Sequence, residues 1–390
     1  MPWPIPSFAS VEKPEPISPR RWLLALAAIA SGSVGAVLLL WPHGKPTQTF
    51  QFWGTLFGAP LVACAVAFGM RLDRWEAEQT VAEESELERE RLMGLWREWC
   101  RRHLRIVDAA AFLPVTDELA SFCDAKAKLP MNVDRTVGFA WSKDRPVAFR
   151  RTRMLHLVAA RFADALRHRR EMVITLLLND ASSEQVEVWK TRAHRIFTRT
   201  APGVVFRVEA RQAMGCAQWL VEQVDIAHTV PRLVIAVQIW PDGEAEHKFS
   251  EGAGAFLIEP GAPEAGSIFR PMMTAPDTLE ADLAQLAQMQ VAPDRLTHIW
   301  FTDCSDEAVT ITSTLTLDPK APLLERNLDS IVGQSGPASG WIALATALEA
   351  SQRTGPSLVG WREPGDEPLN LCMIAPAQSQ RPHRETQTCH

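Results

Sequence analysis

The residues of this chain whose types could do chemistry are few and scattered. Asp303, Asp306 and Glu307 fall with Cys304 in one short polar stretch, as acids that hold a cation or act as general bases can. No histidine stands at ligand spacing beside them, and acids on a loop normally face solvent, so no metal site is assigned. His298 lies on an apolar run, where a core histidine satisfied by its neighbours is the plainer reading than a catalyst. Ser335, in Gln334-Ser335-Gly336, precedes a helical stretch and suits an N-cap; a nucleophilic role would need a base that the sequence does not offer. The phosphate loops GxGxxG and Walker A, the zinc helix HExxH and the nucleophile turn GxSxG are all missing. No catalytic, cofactor-binding or metal-ligating residue is assigned on these grounds.

The elements that would position such groups alternate between strand and helix. Residues 172–178 form a short apolar run that reads as a central strand, followed by a helix over 184–197. A strand over 203–208, a helix over 213–224 and a strand over 232–240 come next. This alternation predicts an α/β layered architecture. Glu251-Gly252-Ala253-Gly254-Ala255-Phe256-Leu257-Ile258-Glu259 then reads as a small-residue turn entering a strand buried on both faces. A helix over 278–289, a strand over 296–301, a polar loop over 302–307 and a Gly/Ala-rich turn into a long helix over 331–348 follow. Residues 357–361 and 369–374, separated by Glu363-Pro364-Gly365-Asp366-Glu367, read as a hairpin.

The segment 251–259 resembles the "EGAGxLxLE" stretch that opens the second half of β-ketoacyl synthases, and 331–348 looks like their "GHxxGAAG" turn and helix. The resemblance spans about 204–374 and implies a thiolase-like fold, commonly dimeric. It also implies a cysteine nucleophile at a strand-to-helix turn and two histidines in later loops, where a helix N-terminus lowers the thiol pKa and the histidines bind the oxyanion. In this chain the nucleophile's turn, 205–215, holds Glu209, Ala210, Arg211 and Gln212. The histidine positions fall near Thr302 and Gly333. Cys216, expected about a turn into the helix, reads as a small core residue. The expectation is a fold without its enzyme, with Cys216 as the candidate nucleophile of the alternative, a membrane-bound acyltransferase.

A net charge of −6 argues against a general nucleic-acid binder. Seven scattered cysteines with no CxxC pair argue against a disulfide framework and fit a reducing compartment. Lys143, Arg145, Arg150, Arg151, Arg153, Arg161, Arg167, Arg169 and Arg170 form a basic cluster over 143–170. It reads either as solvated faces of a loop and a helix or as a patch for nucleic acid or anionic lipid.

Residues 1–19, rich in proline and serine, read as a disordered lead. Two apolar runs follow within 20–71: 22–41, bounded by Trp22 and Trp41, and 50–70, bounded by Phe50 and Met70. Each is about as long as a membrane span. Ala28-Ile29-Ala30 resembles a signal-peptide cleavage site, but the run continues past it and a second follows, so a membrane hairpin is the reading preferred. Arg20, Arg21, Arg71 and Arg74 flank the hairpin and place both ends and the large domain in the cytoplasm of a bacterial inner membrane. A charged helical stalk over 72–103, with Glu98 and Arg102 at i,i+4, leads to a globular domain over 104–374. Residues 375–390 read as a disordered tail whose His383 and His390 are isolated.

Trp96-Arg97-Glu98-Trp99-Cys100-Arg101-Arg102 and the segment 106–114 weakly resemble accessory proteins of type VI secretion effectors. The resemblances together imply a membrane-anchored, non-catalytic protein that binds a protein partner, an effector adaptor or an immunity protein.

Overall fold

A computed structural model of the chain describes residues 3–6, 14–16, 18–115, 119–243, 246–261, 265–290, 295–318, 322–365 and 368–377. The chain divides into two compact units, 5–96 and a larger one of 97–390 together with 1–4. The smaller unit is built on α1 (Pro19–Leu40) and most of α2 (Phe50–Cys100). Both helices are long and apolar enough to cross a membrane. The second apolar run and the charged stalk are one 51-residue helix that continues through Pro60. Its polar length carries ion pairs one turn apart, among them Arg74–Glu78 at 3.0 Å and Arg91–Glu88 at 2.7 Å. The i,i+4 pair expected between Glu98 and Arg102 does not form, because α2 ends at Cys100 and Arg102 turns to Asp225 at 3.1 Å.

The larger unit starts with β1 (His103–Phe112), α3 (Leu119–Cys123), α4 (Val147–Arg161) and α5 (Ala163–Arg167). There follow β2 (Glu171–Leu178), α6 (Asp180–Ser183), α7 (Val186–Thr200), β3 (Val205–Gln212), α8 (Cys216–Asp225) and β4 (Arg232–Gln238). Next come β5 (Gly252–Ile258), β6 (Gly266–Phe269), β7 (Met272–Thr274), α9 (Leu279–Met289), β8 (His298–Thr302) and α10 (Ser305–Leu315). The last elements are β9 (Leu324–Asn327), α11 (Leu328–Val332), α12 (Ser339–Thr354), β10 (Ser357–Arg362) and β11 (Leu369–Pro376).

The strands join in the order β3-β2-β4-β5-β1-β6-β11-β10-β8-β9, with β7 beside β11. Pairing is parallel where helices cross over, β3-β2-β4 and β10-β8-β9, and antiparallel elsewhere. α4 and α7 pack in one apolar cluster on the β3-β2-β4-β5 half. α12 touches β5, β1, β6, β11, β10 and β8, spanning the middle of the strand order; α8 shares its apolar cluster. α9 and α10 pack together beside β7 and β8. The α/β layered architecture expected from the alternation of elements is the one observed.

α12 is buried from Ser339 through Leu348, which explains its run of alanine, leucine and isoleucine on all faces. Its close approach to β5 also corrects the reading of the two glycines at the head of that strand. Gly252 and Gly254 are inside β5, not in a turn before it. A Cβ on Gly254 would stand 2.9 Å from the Trp341 carbonyl oxygen and 3.0 Å from Ala345 Cβ; glycine is what admits the helix.

Within the larger unit, Trp3 is buried. Its Nε1–H donates to Pro271 O at 3.3 Å, and its ring meets Trp99 edge to face at 6.3 Å. Trp99 in turn lies under the Arg270 guanidinium, 4.0 Å from the ring centroid. The lead expected to be disordered thus anchors this one tryptophan. At the other terminus, Ala375 and Pro376 extend β11; 378–390, with His383 and His390, lie outside the described residues.

Candidate functional site

The turn from β3 into α8 is where the resemblance places a nucleophile. Glu209 to Gln212, expected to occupy it, are strand residues of β3 instead. Glu209 is held there by Thr175 Oγ1 at 2.7 Å and by an ion pair with Arg232. The chain then passes through Gly215 at φ 82°, and Cys216 is the first residue of α8, not a turn further on. A thiol at a helix N-terminus would ordinarily ionise more readily. Here burial pushes the Cys216 thiol well above its usual range, and the charge of Glu363 and then Cys372 push it further. The Glu363 carboxylate accepts the Gly215 N–H, so the anion-binding end of α8 already holds an anion from the chain itself.

The two later positions come together. Thr302 and Gly333 both line a cavity of about 20 Å³, with Gln238, Ser250, Asp329 and Ser339. That is room for a single water. Thr302 Oγ1–H donates to Asp329 Oδ1 at 2.8 Å, and the Asp303 N–H donates to Oδ2 at 2.5 Å. Burial raises the Asp329 pKa, the two hydrogen bonds oppose it, and Asp303 adds to the rise. The loop before α4 is pinned to two residues that line the cavity by backbone bonds, Gln334 N to Arg135 O and Glu251 N to Val137 O, both 2.8 Å. Gly333 sits at φ 93°, and a Cβ there would fall on Arg135 O and Ser250 Oγ. Behind the loop, Glu251 is fully buried and pairs with Arg150 at 2.9 Å; Arg150 also reaches Asp242 at 3.0 Å.

No family model and no curated protein matches the chain. Among solved structures it is similar to a type II polyketide acyl-carrier protein in complex with its ketosynthase, apo AntDE:AntF, at TM-score 0.45 and 12% identity, over 71% of this chain and 99% of that one. It is similar to 3-oxoacyl-(acyl-carrier-protein) synthase III from Aquifex aeolicus at TM-score 0.39 and 14% identity, over 70% and 99%. Cerulenin-bound OleA from Xanthomonas campestris matches at TM-score 0.41 and 13% identity, over 72% and 98%.

The other candidates are dispersed. Asp306 and Glu307 are in the first turn of α10, not on a loop, where acids favour the helix N-terminus. Glu307 pairs with Arg362 at 2.5 Å, and Cys304 is buried with its thiol raised by burial. Among the described residues no group of three or more His, Cys, Asp or Glu is placed to hold a metal ion. His298 is buried on β8, its Nδ1 3.0 Å from Thr297 Oγ1 and its pKa lowered chiefly by burial. Ser335 does not cap α12, which starts four residues later after Pro337; instead Ser339 Oγ accepts the Gly336 N–H at 2.6 Å.

Five of the nine residues of the basic cluster are paired within the chain. Arg150 pairs with Asp242 and Glu251, Arg161 with Asp108, Arg167 with Asp164 and Arg169 with Glu259. Arg151 bonds Gln185 and covers the Trp189 ring. The residues that resembled type VI accessory proteins are also structural: Arg101 donates to Met289 O at 2.9 Å and Cys100 is buried. Two groups decide most about this site, Glu363 and the 132–139 loop, and the sequence flagged neither. Glu363 lies 148 residues from the Gly215 N–H it accepts, so no local spacing could reveal it.

Proposed function

We propose that this chain is a membrane-anchored, thiolase-like protein that performs no condensation and uses its globular unit to bind a protein partner. The observation that carries the reading is the cavity of about 20 Å³ lined by Thr302 and Gly333, too small for an acyl group. The capped α8 and its buried thiol support it. The anchor is the α1–α2 hairpin. Trp3, ahead of α1, and Trp99, at the end of α2, touch, which favours a hairpin whose two ends lie on one side of the bilayer. The flanking arginines support the cytoplasmic side of a bacterial inner membrane for those ends.

The partner class carried forward is a secreted effector, the chain acting as adaptor for a type VI secretion effector. An immunity protein that silences the same toxin is the other form of this binding role, and a homodimer is the expected assembly. The test is purification of the tagged full-length protein in detergent from its native cell, with mass spectrometry of what accompanies it. A stoichiometric effector is expected, and none of the acyl thioesters offered to the purified protein is turned over. Recovery of an acyl-carrier protein, or release of thiol from an acyl thioester, would sink the reading.

One observation favours a second reading, a membrane-bound ketosynthase-like acyltransferase: Cys216 is the first residue of a helix that follows a strand. It requires Glu363 to withdraw and a channel to open. Loss of thioester turnover in Cys216→Ala would establish it.

A further inference from the structure

A larger cavity, about 480 Å³, opens at the C-terminal end of α12, and its volume is in the range of small-molecule sites. Ile106, Ala109, Leu119 and Leu348 give it an apolar floor; its polar groups come from Asp108, Arg161, Glu349, Gln352 and Arg353. Three of these five are taken. Asp108 and Arg161 hold each other through two hydrogen bonds, 2.7 and 2.9 Å, and the Gln352 amide donates to Ala265 O. The second oxygen of Glu349, whose Oε2 accepts a backbone N–H, and Arg353 remain.

These two stand at i,i+4 on α12, acid before base, the spacing at which a helix ordinarily closes an ion pair. No ion pair joins them. The Glu349 carboxylate is drawn toward β1, where Oε2 accepts the Ala111 N–H at 2.9 Å. Among the described residues Arg353 makes no hydrogen bond or ion pair, and it is exposed. Two opposite charges on one helix face are therefore held open across an apolar-floored cavity. Burial raises the Glu349 pKa, with Arg161 and Arg353 opposing and Asp108 adding to the rise, so a cationic partner for this carboxylate would relieve an existing cost.

We infer that this cavity binds a small zwitterion with an apolar body, the chemistry of a free apolar α-amino acid. Its ammonium meets Glu349, its carboxylate meets Arg353, and its side chain covers Leu119 and Leu348. A simple anion would meet the uncompensated Glu349, and a simple amine would leave Arg353 unused.

The experiment is titration calorimetry on the full-length protein in detergent with L-phenylalanine and L-leucine, beside 2-phenylethylamine and 3-phenylpropanoate. The amino acids are expected to bind, and each single-charge analogue to bind about tenfold or more weakly, about 1.4 kcal/mol. Arg353→Gln should weaken phenylalanine by a similar factor and leave 2-phenylethylamine unchanged. Glu349→Gln should do the reverse, weakening the amine and sparing 3-phenylpropanoate. Arg353 is exposed, so its variant keeps the test sound if Glu349→Gln misfolds. No heat with either amino acid at tens of millimolar, analogues that bind as tightly, or an Arg353→Gln protein that binds phenylalanine unchanged would each overturn the assignment.

Discussion

The two ends of α12 face cavities of opposite character. At its N-terminal end, Ser339 and Ile342 border about 20 Å³ of space whose polar groups bond one another. At its C-terminal end, Leu348, Glu349 and Arg353 border about 480 Å³ where two charges have been left unjoined. The resemblance to condensing enzymes points to the first; the room and the unused charge are at the second. A central helix buried along most of its length makes both possible. Its rigidity lets one end be filled by loops from elsewhere in the chain while the other stays open.

The difference predicts unequal tolerance to substitution. Glu251→Ala, at the small cavity, leaves the buried Arg150 with only the exposed Asp242 as a partner and should cost about 3 kcal/mol in denaturant unfolding. Arg353→Ala at the open end should change stability by less than about 0.5 kcal/mol. Equal effects would erase the contrast. Next in size is Gly254→Ala, which sets a methyl against the Trp341 carbonyl and Ala345 and should cost about 1–3 kcal/mol by the same measurement. A neutral result would mean that α12 can move off β5, and that the small cavity at its N-terminal end is not rigidly fixed.

Much of the fold was legible because it follows apolar runs and periodicity. β2, α7, β4 and α9 fall where the runs 172–178, 184–197, 232–240 and 278–289 place them. Other elements failed for identifiable reasons. α10, with Val309-Thr310-Ile311-Thr312-Ser313-Thr314, is β-branched and polar and reads poorly as helix; packing against α9 overrides that propensity. Gly252 and Gly254 looked like a turn because nothing local announces a helix arriving 90 residues later. Trp3 sits in a proline-rich lead with no pattern, yet one indole finds one carbonyl. The site was legible only as a set of absences. What occupies it, Glu363 and the 132–139 loop, comes from distant parts of the chain.

Thiol labelling sharpens the comparison more gently. Peptide mapping after iodoacetamide should find Cys216 unmodified in the native protein at neutral pH and modified in guanidinium. Glu363→Gln should raise its labelling only a few-fold, since burial outranks Glu363 as the cause of the raised thiol pKa. Labelling of the wild-type thiol at the rate of a free cysteine would show that the α8 end opens, and would favour the acyltransferase reading.

The smallest effect expected is at Asp329. Its native pKa is raised, so the native state binds the proton more tightly than the unfolded chain does. The stability this contributes is full below the unfolded value, near pH 4, and is lost as pH rises through the native value. Asp329→Asn has no charge to bury; its one oxygen can accept the Asp303 N–H while its amide N–H donates to Thr302 Oγ1. It should therefore melt about 2 °C above wild type at pH 7 and match it near pH 4. The small cavity supplies the reason: with room for one water and Asp303 beside it, an ionised Asp329 has little solvent to face. A wild-type protein whose advantage over Asp329→Asn grows with pH would mean the opposite. Asp329 would then be a stabilised anion with a partner or solvent at hand, and the N-terminal end of α12 would be as roomy for charge as the other.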